Sequence, residues 1–182
     1  MSERPGAPLM AAEGQRGGSV DVSEMVAAAD TGARSPTGTA AYVLFGTALA
    51  WSLFQLWIAS PLPFMLRFGV FNSTEARSIH LAFAVFLAFT SYPAFARSPR
   101  DHIPLADWIM ALVGAFAAAY LYLFYEGISD RVGAPITQDY VAAVIGGILL
   151  LEAARRSLGP ALAIVASVFL LYTFLGPYMP DI

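Results

Sequence analysis

Long apolar runs separated by short polar joints make up the chain from Thr39 onward. The first run is long enough to cross the ~30 Å hydrocarbon core of a bilayer as an α-helix. No run alternates with the two-residue period of a membrane β-strand. The pattern therefore predicts an all-α integral membrane bundle. Its apolar runs are Thr39–Ser60, Ser78–Phe95, Leu105–Tyr125, Tyr140–Ala154 and Pro160–Leu175.

The last two runs lie close to the lower limit of ~17 residues for a transmembrane helix, so we expect four to five spans. Glycine suits the end of one helix and proline the start of the next, and the Gly159-Pro160 step therefore predicts a break between these runs. Residues 39–158 then form a four-helix membrane unit, and residues 159–182 carry a fifth helix.

Residues 1–38 differ from the rest of the chain. They are rich in Gly, Ala, Ser, Pro and charge, and they show no apolar periodicity. Such a composition buries too little apolar surface to offset the entropy of ordering. Its apolar stretches, such as Pro8–Ala12, are too short for the core of a signal peptide. We therefore expect residues 1–38 to form a disordered cytoplasmic tail.

Local signals favour helices over strands. Asn72 and Glu75 have the spacing of a capping box ahead of the second run. Asp107 falls in the first turn of the third helix, where negative charge suits the helix dipole. Glu152 precedes Arg155 and Arg156 by three and four residues, which is the spacing of an intrahelical ion pair.

The distribution of arginines predicts the orientation of the bundle. An excess of positive charge on the inside favours a cytoplasmic N-terminus. We expect Arg155 and Arg156 to anchor a helix end at the lipid headgroups. The apolar segment 61–71, which prolines interrupt, is expected to lie along the interface. The inside arginines are Arg34, Arg97, Arg100, Arg155 and Arg156, and the outside arginines are Arg67, Arg77 and Arg131.

Composition agrees with a lipid environment. Hydrophobic residues make up 58% of the chain and charged residues 13%, whereas soluble domains average about 45–50% and about 25%. The net charge of −3 carries no basic excess, which argues against nucleic-acid binding. Because cysteine is absent, disulfides and thiolate chemistry are excluded. Small residues at four-residue spacing predict close helix packing, in the ridges Ala111-Ala115-Ala119, Gly114-Ala118, Ala142-Gly146 and Ala143-Gly147.

Few polar side chains fall where a site within a membrane would need them. A bis-histidine haem needs two axial ligands, but His80 lies in the second helix and His102 in a loop. We therefore expect His80 to be an interfacial residue that forms a hydrogen bond or faces the lipid headgroups. Glu126 and Asp130 are expected at a solvated boundary, and Gln55 is expected to link helices. Nucleotide, zincin and hydrolase motifs are absent from the sequence. The sequence thus predicts no catalytic, cofactor or metal site and no enzyme.

Four stretches together resemble the N-terminal region of fused permeases of the TRAP transporters, the tripartite ATP-independent periplasmic family. The resemblance extends from about Ala41 to the end of the chain. The stretches are WSLFQLWIASPLPFMLRFGVFNSTEARSIHLAFAVFLAF (Trp51–Phe89), SPRDHIPLADW (Ser98–Trp108), LEAARRSLG (Leu151–Gly159) and FLLYTFLGPYMPD (Phe169–Asp181).

The resemblance implies a role that composition alone does not. In that family a periplasmic substrate-binding protein, here of the TAXI type, delivers a small organic solute to a permease in the bacterial inner membrane. A sodium gradient drives uptake through a large transport domain, and a small domain braces it as a scaffold. The sequence stops at Ile182, about where the large domain would begin. We therefore expect the fifth helix to be a connector, and the large permease domain or subunit to be the partner.

Two other readings remain open from the sequence. The chain could be the membrane anchor of a redox complex, with His80 as one haem ligand. It could also be the small subunit of a related tripartite carboxylate transporter, which shares the scaffold role without these motifs. Substrate and sodium ligands are not assigned to any residue, since in the family they belong to the large domain.

Overall fold

A computed structural model describes residues 32–95 and 98–176, and all regular secondary structure within them is helical. Residues 1–31 of the tail expected over residues 1–38, and the inside arginine Arg97, lie outside the described residues. The helices are α1 (Thr39–Ala59), α2 (Leu62–Leu66), α3 (Ser73–Ser91), α4 (Leu105–Leu123), α5 (Tyr125–Ser129), α6 (Thr137–Leu158) and α7 (Pro160–Leu175).

The five long helices alternate in direction. Ser78, near the start of α3, donates a hydrogen bond to the Ala118 carbonyl near the end of α4, so these two helices are antiparallel. The helices α1, α4 and α7 begin at the end of the bundle where α3 and α6 finish. We call this the charged end, because Arg34, Arg155 and Arg156 lie there. The opposite end carries Arg67, Arg77 and Arg131, as the sequence predicts for the two sides of the bundle.

The apolar core lies among α3, α4 and α6. Its buried members are Val85, Ala88 and Phe89 of α3, Ala111 of α4 and Ala153 of α6. In contrast, α1 and α7 contain no buried residue. The inner three helices therefore form the packed unit, and α1 and α7 attach to its outside.

Small residues allow the inner helices to approach one another. A β-carbon added to Gly114 would lie 2.7 Å from Val85 Cγ1, too close for any side chain. One added to Gly146 would lie 3.3 Å from the β-carbon of Ala117. Gly147 meets open space. Two of the predicted ridges, at Gly114 and Gly146, are therefore packing faces, whereas Gly147 is left uncovered.

The capping box at the start of α3 is confirmed. The Asn72 side-chain oxygen accepts from the backbone N–H groups of Thr74 and Glu75, both at 2.9 Å. In return the Glu75 carboxylate accepts from the Asn72 N–H at 2.8 Å. This cap starts α3 at Ser73, five residues before the apolar run, because the cap and not the hydrophobic pattern determines where the helix begins.

The break at Gly159-Pro160 is also confirmed. Helix α6 ends at Leu158 and α7 begins at Pro160. Gly159 between them has a φ of 88°, which a residue with a β-carbon rarely adopts. The fourth and fifth apolar runs are therefore two separate helices.

Two of the described helices, α1 and α4, are long and apolar enough to cross a membrane. In a soluble protein such helices would be mostly buried, yet none of the apolar window of α1 and only 22% of that of α4 is buried. Large apolar side chains such as Phe45, Phe116 and Phe174 are exposed instead. The all-helical fold with its apolar exterior is typical of a protein that lies in lipid.

Candidate functional site

Asp107 is the centre of a network of ion pairs at the charged end of the bundle. It lies in the first turn of α4, and the side chain is almost fully buried. One carboxylate oxygen accepts from Arg34 Nη2, and the other accepts from Arg156 Nη1 at 2.8 Å. Both oxygens are therefore bound by guanidinium groups, which compensates the cost of burying the charge.

Arg34 reaches Asp107 from the segment that precedes α1. Its side chain is completely buried, and it also donates to the backbone carbonyls of Phe89 and Pro99, both at 3.2 Å. The backbone of Arg34 also binds the end of α3, since its N–H donates to the Ser91 carbonyl at 2.7 Å. These bonds satisfy carbonyls at the end of α3, where a helix leaves its last C=O groups without partners. Arg34 thereby fastens the chain before α1 to the α3–α4 connection.

Arg156 continues the network into α6. Besides its bond to Asp107, it donates from Nε to Glu152 at 2.7 Å and lies over the ring of Phe89, 4.8 Å from its centroid. Glu152 also binds Arg155 at 2.7 and 2.8 Å. Three arginines and two carboxylates therefore share one network, which connects the segment before α1 with α4 and α6.

The structure changes the role expected for three of these residues. Glu152 forms both predicted intrahelical pairs. Arg156, however, is not a headgroup anchor, because its side chain is only 2% exposed and turns inward to Asp107. Asp107 is bound by two arginines in addition to lying at a helix N-terminus. Arg34 is placed in the tail by the sequence pattern, yet it is the most buried charge of the network.

A smaller polar cluster lies at the opposite end. Arg131, in the loop after α5, pairs with Asp139 of α6 at 3.0 Å and donates to the Gly127 carbonyl at 2.6 Å. Tyr120 of α4 donates to the same carboxylate at 2.6 Å. The Asp139 carboxylate raises the pKa of Arg131 above its usual value, because it stabilises the charged form. The cluster fastens the loop between α4 and α6.

Ser78 joins α3 and α4 at the same end of the bundle. Its hydroxyl donates to the Ala118 carbonyl at 2.7 Å and accepts from the Tyr122 N–H at 3.2 Å. An α-helix normally pairs these two backbone groups with each other. The hydroxyl bridges them just before α4 ends at Leu123.

The two histidines lie far apart. The Nδ1 atom of His80 accepts from Trp51 Nε1 at 2.9 Å, so the hydrogen bond expected of His80 is confirmed. His102 is exposed in the loop at the charged end, where its contact with Asp101 at 3.0 Å lowers the pKa of that carboxyl. The eleven residues from His80 to the end of α3 span about 16 Å of helix. The histidines therefore do not converge on one site.

The remaining polar candidates face outward. Glu126 and Asp130 are exposed beside α5, as expected for a solvated boundary. Gln55 is also exposed, on a helix with no buried residue. It has no hydrogen-bond partner across helices in the described residues, which does not agree with the expected linking role. Among those residues, no cluster of histidine and carboxylate side chains has the arrangement of a metal site.

An apolar groove of about 680 Å³ opens between α4 and α6. Small residues form its walls, and Arg131 and Asp139 lie at one end. Because these two side chains bind each other, they offer no free charge to a ligand. Larger side chains such as Leu81 and Leu150 also line the groove, and its small residues on α4 and α6 are Gly114, Ala117, Ala118, Ala142, Ala143, Gly146 and Gly147.

These contacts define a helical bundle with an apolar exterior, whose interior charges hold helices together. The charge network contains no carboxylate without a guanidinium partner, and its chemistry is that of a structural link. The chain matches no protein-family model, no curated protein and no solved structure.

Proposed function

We propose that the chain is the membrane scaffold of a TRAP-type secondary transporter, a multi-pass protein of the bacterial inner membrane. The observation that carries the proposal is that charged side chains are paired inside the bundle, whereas apolar side chains cover its outside. The interior charges form ion pairs with one another, and these pairs fasten the helices together. The outer helices α1 and α7, in contrast, have uncovered apolar faces. A scaffold needs both features, since it must keep its own shape while other helices pack against it.

The lengths of the helices support four to five spans. In addition to α1 and α4, helices α3 and α6 have 19 and 22 residues, which correspond to about 28 and 33 Å. Helix α3 carries charged residues near its start, and α6 carries them near both ends. These residues lower the mean hydropathy of the two helices without shortening them. Helix α7, with 16 residues, is about 24 Å long and is the fifth, connecting helix.

The arginines support a cytoplasmic N-terminus. The charged end carries Arg34, Arg100, Arg155 and Arg156, whereas the opposite end carries one fewer among the described residues. Within the network three arginines meet two carboxylates, so one positive charge is left at that end. An excess of positive charge is typical of the cytoplasmic side.

The partner in this proposal is a large permease domain or chain, which carries the solute and sodium sites. A periplasmic binding protein of the TAXI type would deliver the solute to it. Four stretches that resemble the family, spread from Trp51 to Asp181, support this assignment. The scaffold itself then contributes no ligand to solute or sodium, and it is not an enzyme.

The contacts of the histidines favour the scaffold over a redox anchor. His80 Nδ1 is taken by Trp51, and His102 is exposed at the opposite end from the start of α3. A pair of axial haem ligands would have to approach one iron atom. The small subunit of a tripartite carboxylate transporter shares the scaffold role, and the identity of the partner separates the two families.

Affinity purification of the tagged full chain from its native membranes, in mild detergent, tests the proposal. We expect a large multi-span chain to co-purify in equal amount and to be identified by mass spectrometry as a TRAP permease. Recovery with a redox enzyme, together with a Soret band that disappears in His80→Phe, would establish the anchor instead. A chain that purifies alone and takes up solute in vesicles would contradict the scaffold.

A further inference from the structure

The attachment of α1 to the rest of the bundle is thin and largely aromatic. Helix α1 has no buried residue, and the long helix it packs against is α3. The aromatic part of that contact joins Trp51 and Phe54 on α1 to His80 and Phe83 on α3, and we call these four residues the His80 cluster. The ring of Trp51 stacks on that of Phe83, and the ring of Phe54 meets His80 edge-on at 5.1 Å.

One hydrogen bond in this cluster determines the protonation of His80. Trp51 Nε1 lies 2.9 Å from His80 Nδ1. The indole N–H is only a donor, so Nδ1 must be the acceptor and must carry no proton. His80 is therefore neutral in this arrangement, with its proton on Nε2.

We propose that His80 is a pH-sensitive latch, whose protonation releases α1 from α3. A proton added at Nδ1 converts the acceptor into a donor and places two N–H groups face to face. It also leaves an imidazolium among Trp51, Phe54 and Phe83, where no carboxylate of residues 32–95 and 98–176 is paired with it. Helix α1 has no buried residue of its own, and further contacts fasten only its two ends, where Arg34 binds the α3–α4 connection and Trp57 Nε1 donates to the Gly69 carbonyl at 3.1 Å.

The charged and titratable groups around the cluster are few. Helix α1 carries no acidic, basic or histidine residue, and its only titratable side chain is Tyr42, nine residues before Trp51. On α3 itself the nearest charges are Arg77, which opposes protonation, and Glu75, which is engaged in the capping box. From α4, Tyr122 packs against Phe71, which in turn contacts Phe54.

The faces of the aromatic rings would attract a cation, which works against release. The rings of Trp51 and Phe54 are inclined to the imidazole of His80 by 67° and 65°, so neither ring stacks face to face on it. In addition, His80 lies two turns from the start of α3 and is half-exposed, so protons reach it from the opposite end of the bundle. The latch does not depend on the identity of any partner of the chain.

Spin labels on α1 and α3 measure the release directly. The chain contains no cysteine, so cysteines placed at the exposed positions Gln55 and Thr74 are the only labelling sites. The full chain is reconstituted in phosphatidylcholine vesicles, and the distance distribution between the labels is recorded from about pH 8 to about pH 5, the range in which histidines commonly titrate. We expect one short distance at high pH and a second, longer population at low pH.

Two variants separate the latch from a general effect of acid. His80→Gln cannot become positively charged and offers a side-chain oxygen to Trp51, so it should keep the short distance throughout. Trp51→Phe keeps an aromatic ring but removes the donor, and it should show the longer population already at high pH. Circular dichroism confirms that both variants remain helical.

The proposal is overturned if the distance in the unmodified chain does not change with pH. It is equally overturned if His80→Gln responds to acid as the unmodified chain does. If His80→Gln loses its helical signal, it is replaced by His80→Asn, which is likewise neutral and for which the same pH-independent short distance is expected.

Discussion

The inner helices and the outer helices of this bundle are built in different ways. The inner helices α3, α4 and α6 share the buried side chains, among them Phe89 and Ala111, and ion pairs join α4 to α6 at their charged ends. The outer helices α1 and α7 have no buried residue and expose Phe45 and Phe169. Packing therefore joins all three inner helices, and ion pairs reinforce the contact between α4 and α6.

This difference shows which helices share the packed core of the fold and which leave their apolar faces uncovered. In lipid, an exposed apolar side chain costs nothing, so the outer helices need no burial to be stable there. Close contacts and ion pairs define the inner unit, and α1 and α7 remain available to lipid or to other helices. Substitutions in the two regions should therefore differ in what they change.

The largest effect is expected for Asp107→Asn. Removing this charge leaves Arg34 and Arg156 buried without their common partner, which costs about 3–5 kcal/mol when an ion pair is broken in this way. The free energy of unfolding in detergent micelles, followed by circular dichroism, measures the loss. The matched control is Glu152→Gln, because its side chain is 29% exposed and Arg156 keeps Asp107. Equal losses for the two variants would contradict a central role for Asp107.

The next effect distinguishes two glycines of the inner helices. Gly114→Ala places a β-carbon 2.7 Å from Val85 Cγ1 and should destabilise the bundle by about 1–3 kcal/mol through overpacking. Gly147→Ala meets open space and should be neutral or stabilise by up to about 1 kcal/mol, since alanine favours the helix. The same unfolding measurement compares them. A larger loss at Gly147 than at Gly114 would refute the packing described for α3 and α4.

A smaller effect is expected for Ser78→Ala. The variant loses the bridge between α3 and α4, but Ala118 and Tyr122 can then pair with each other, so we expect a loss of about 0.5–1.5 kcal/mol. Hydrogen exchange at the Tyr122 amide reports the change locally. Ser52→Ala is the control, because that hydroxyl binds only its own helix on an exposed face. If both variants exchange alike, the bridge has no role in joining the helices.

The smallest effect on stability is expected at the outer helices. Phe169→Ala should change the free energy of unfolding of the isolated chain by no more than about 0.5 kcal/mol, as is usual for exposed positions. Phe89→Ala, its buried counterpart, should cost about 3–5 kcal/mol. If the chain is a scaffold, Phe169→Ala should reduce the amount of partner chain that co-purifies, while the fold stays intact. A strong loss of stability at Phe169 would remove the distinction between the two regions.

The parts of the fold that the sequence predicts are those formed by neighbours along the chain. The capping box of Asn72 with Glu75, and the pairs of Glu152 with the two arginines that follow it, join residues three or four positions apart. The helix break at Gly159 likewise follows from two adjacent residues. Backbone geometry fixes such contacts before any tertiary structure forms.

The centre of the charge network was not predictable in the same way. Asp107 meets Arg34 and Arg156 across 73 and 49 residues of sequence, and only the packing of α3, α4 and α6 brings them together. Each residue has a reasonable local role, as a helix-dipole partner, a tail residue and a headgroup anchor. The bond between Trp51 and His80, across 29 residues, is another contact whose partner no local pattern names.

Photocrosslinking tests the scaffold most directly. Benzoyl-phenylalanine replaces one phenylalanine at a time in the tagged full chain, at the exposed positions Phe45 and Phe169 and at the buried position Phe89. After irradiation in native membranes, we expect adducts between an outer helix of the scaffold and a large multi-span chain, and no such adduct from Phe89. A scaffold role is contradicted if neither outer position yields a protein adduct, or if Phe89 crosslinks to the partner as efficiently as they do.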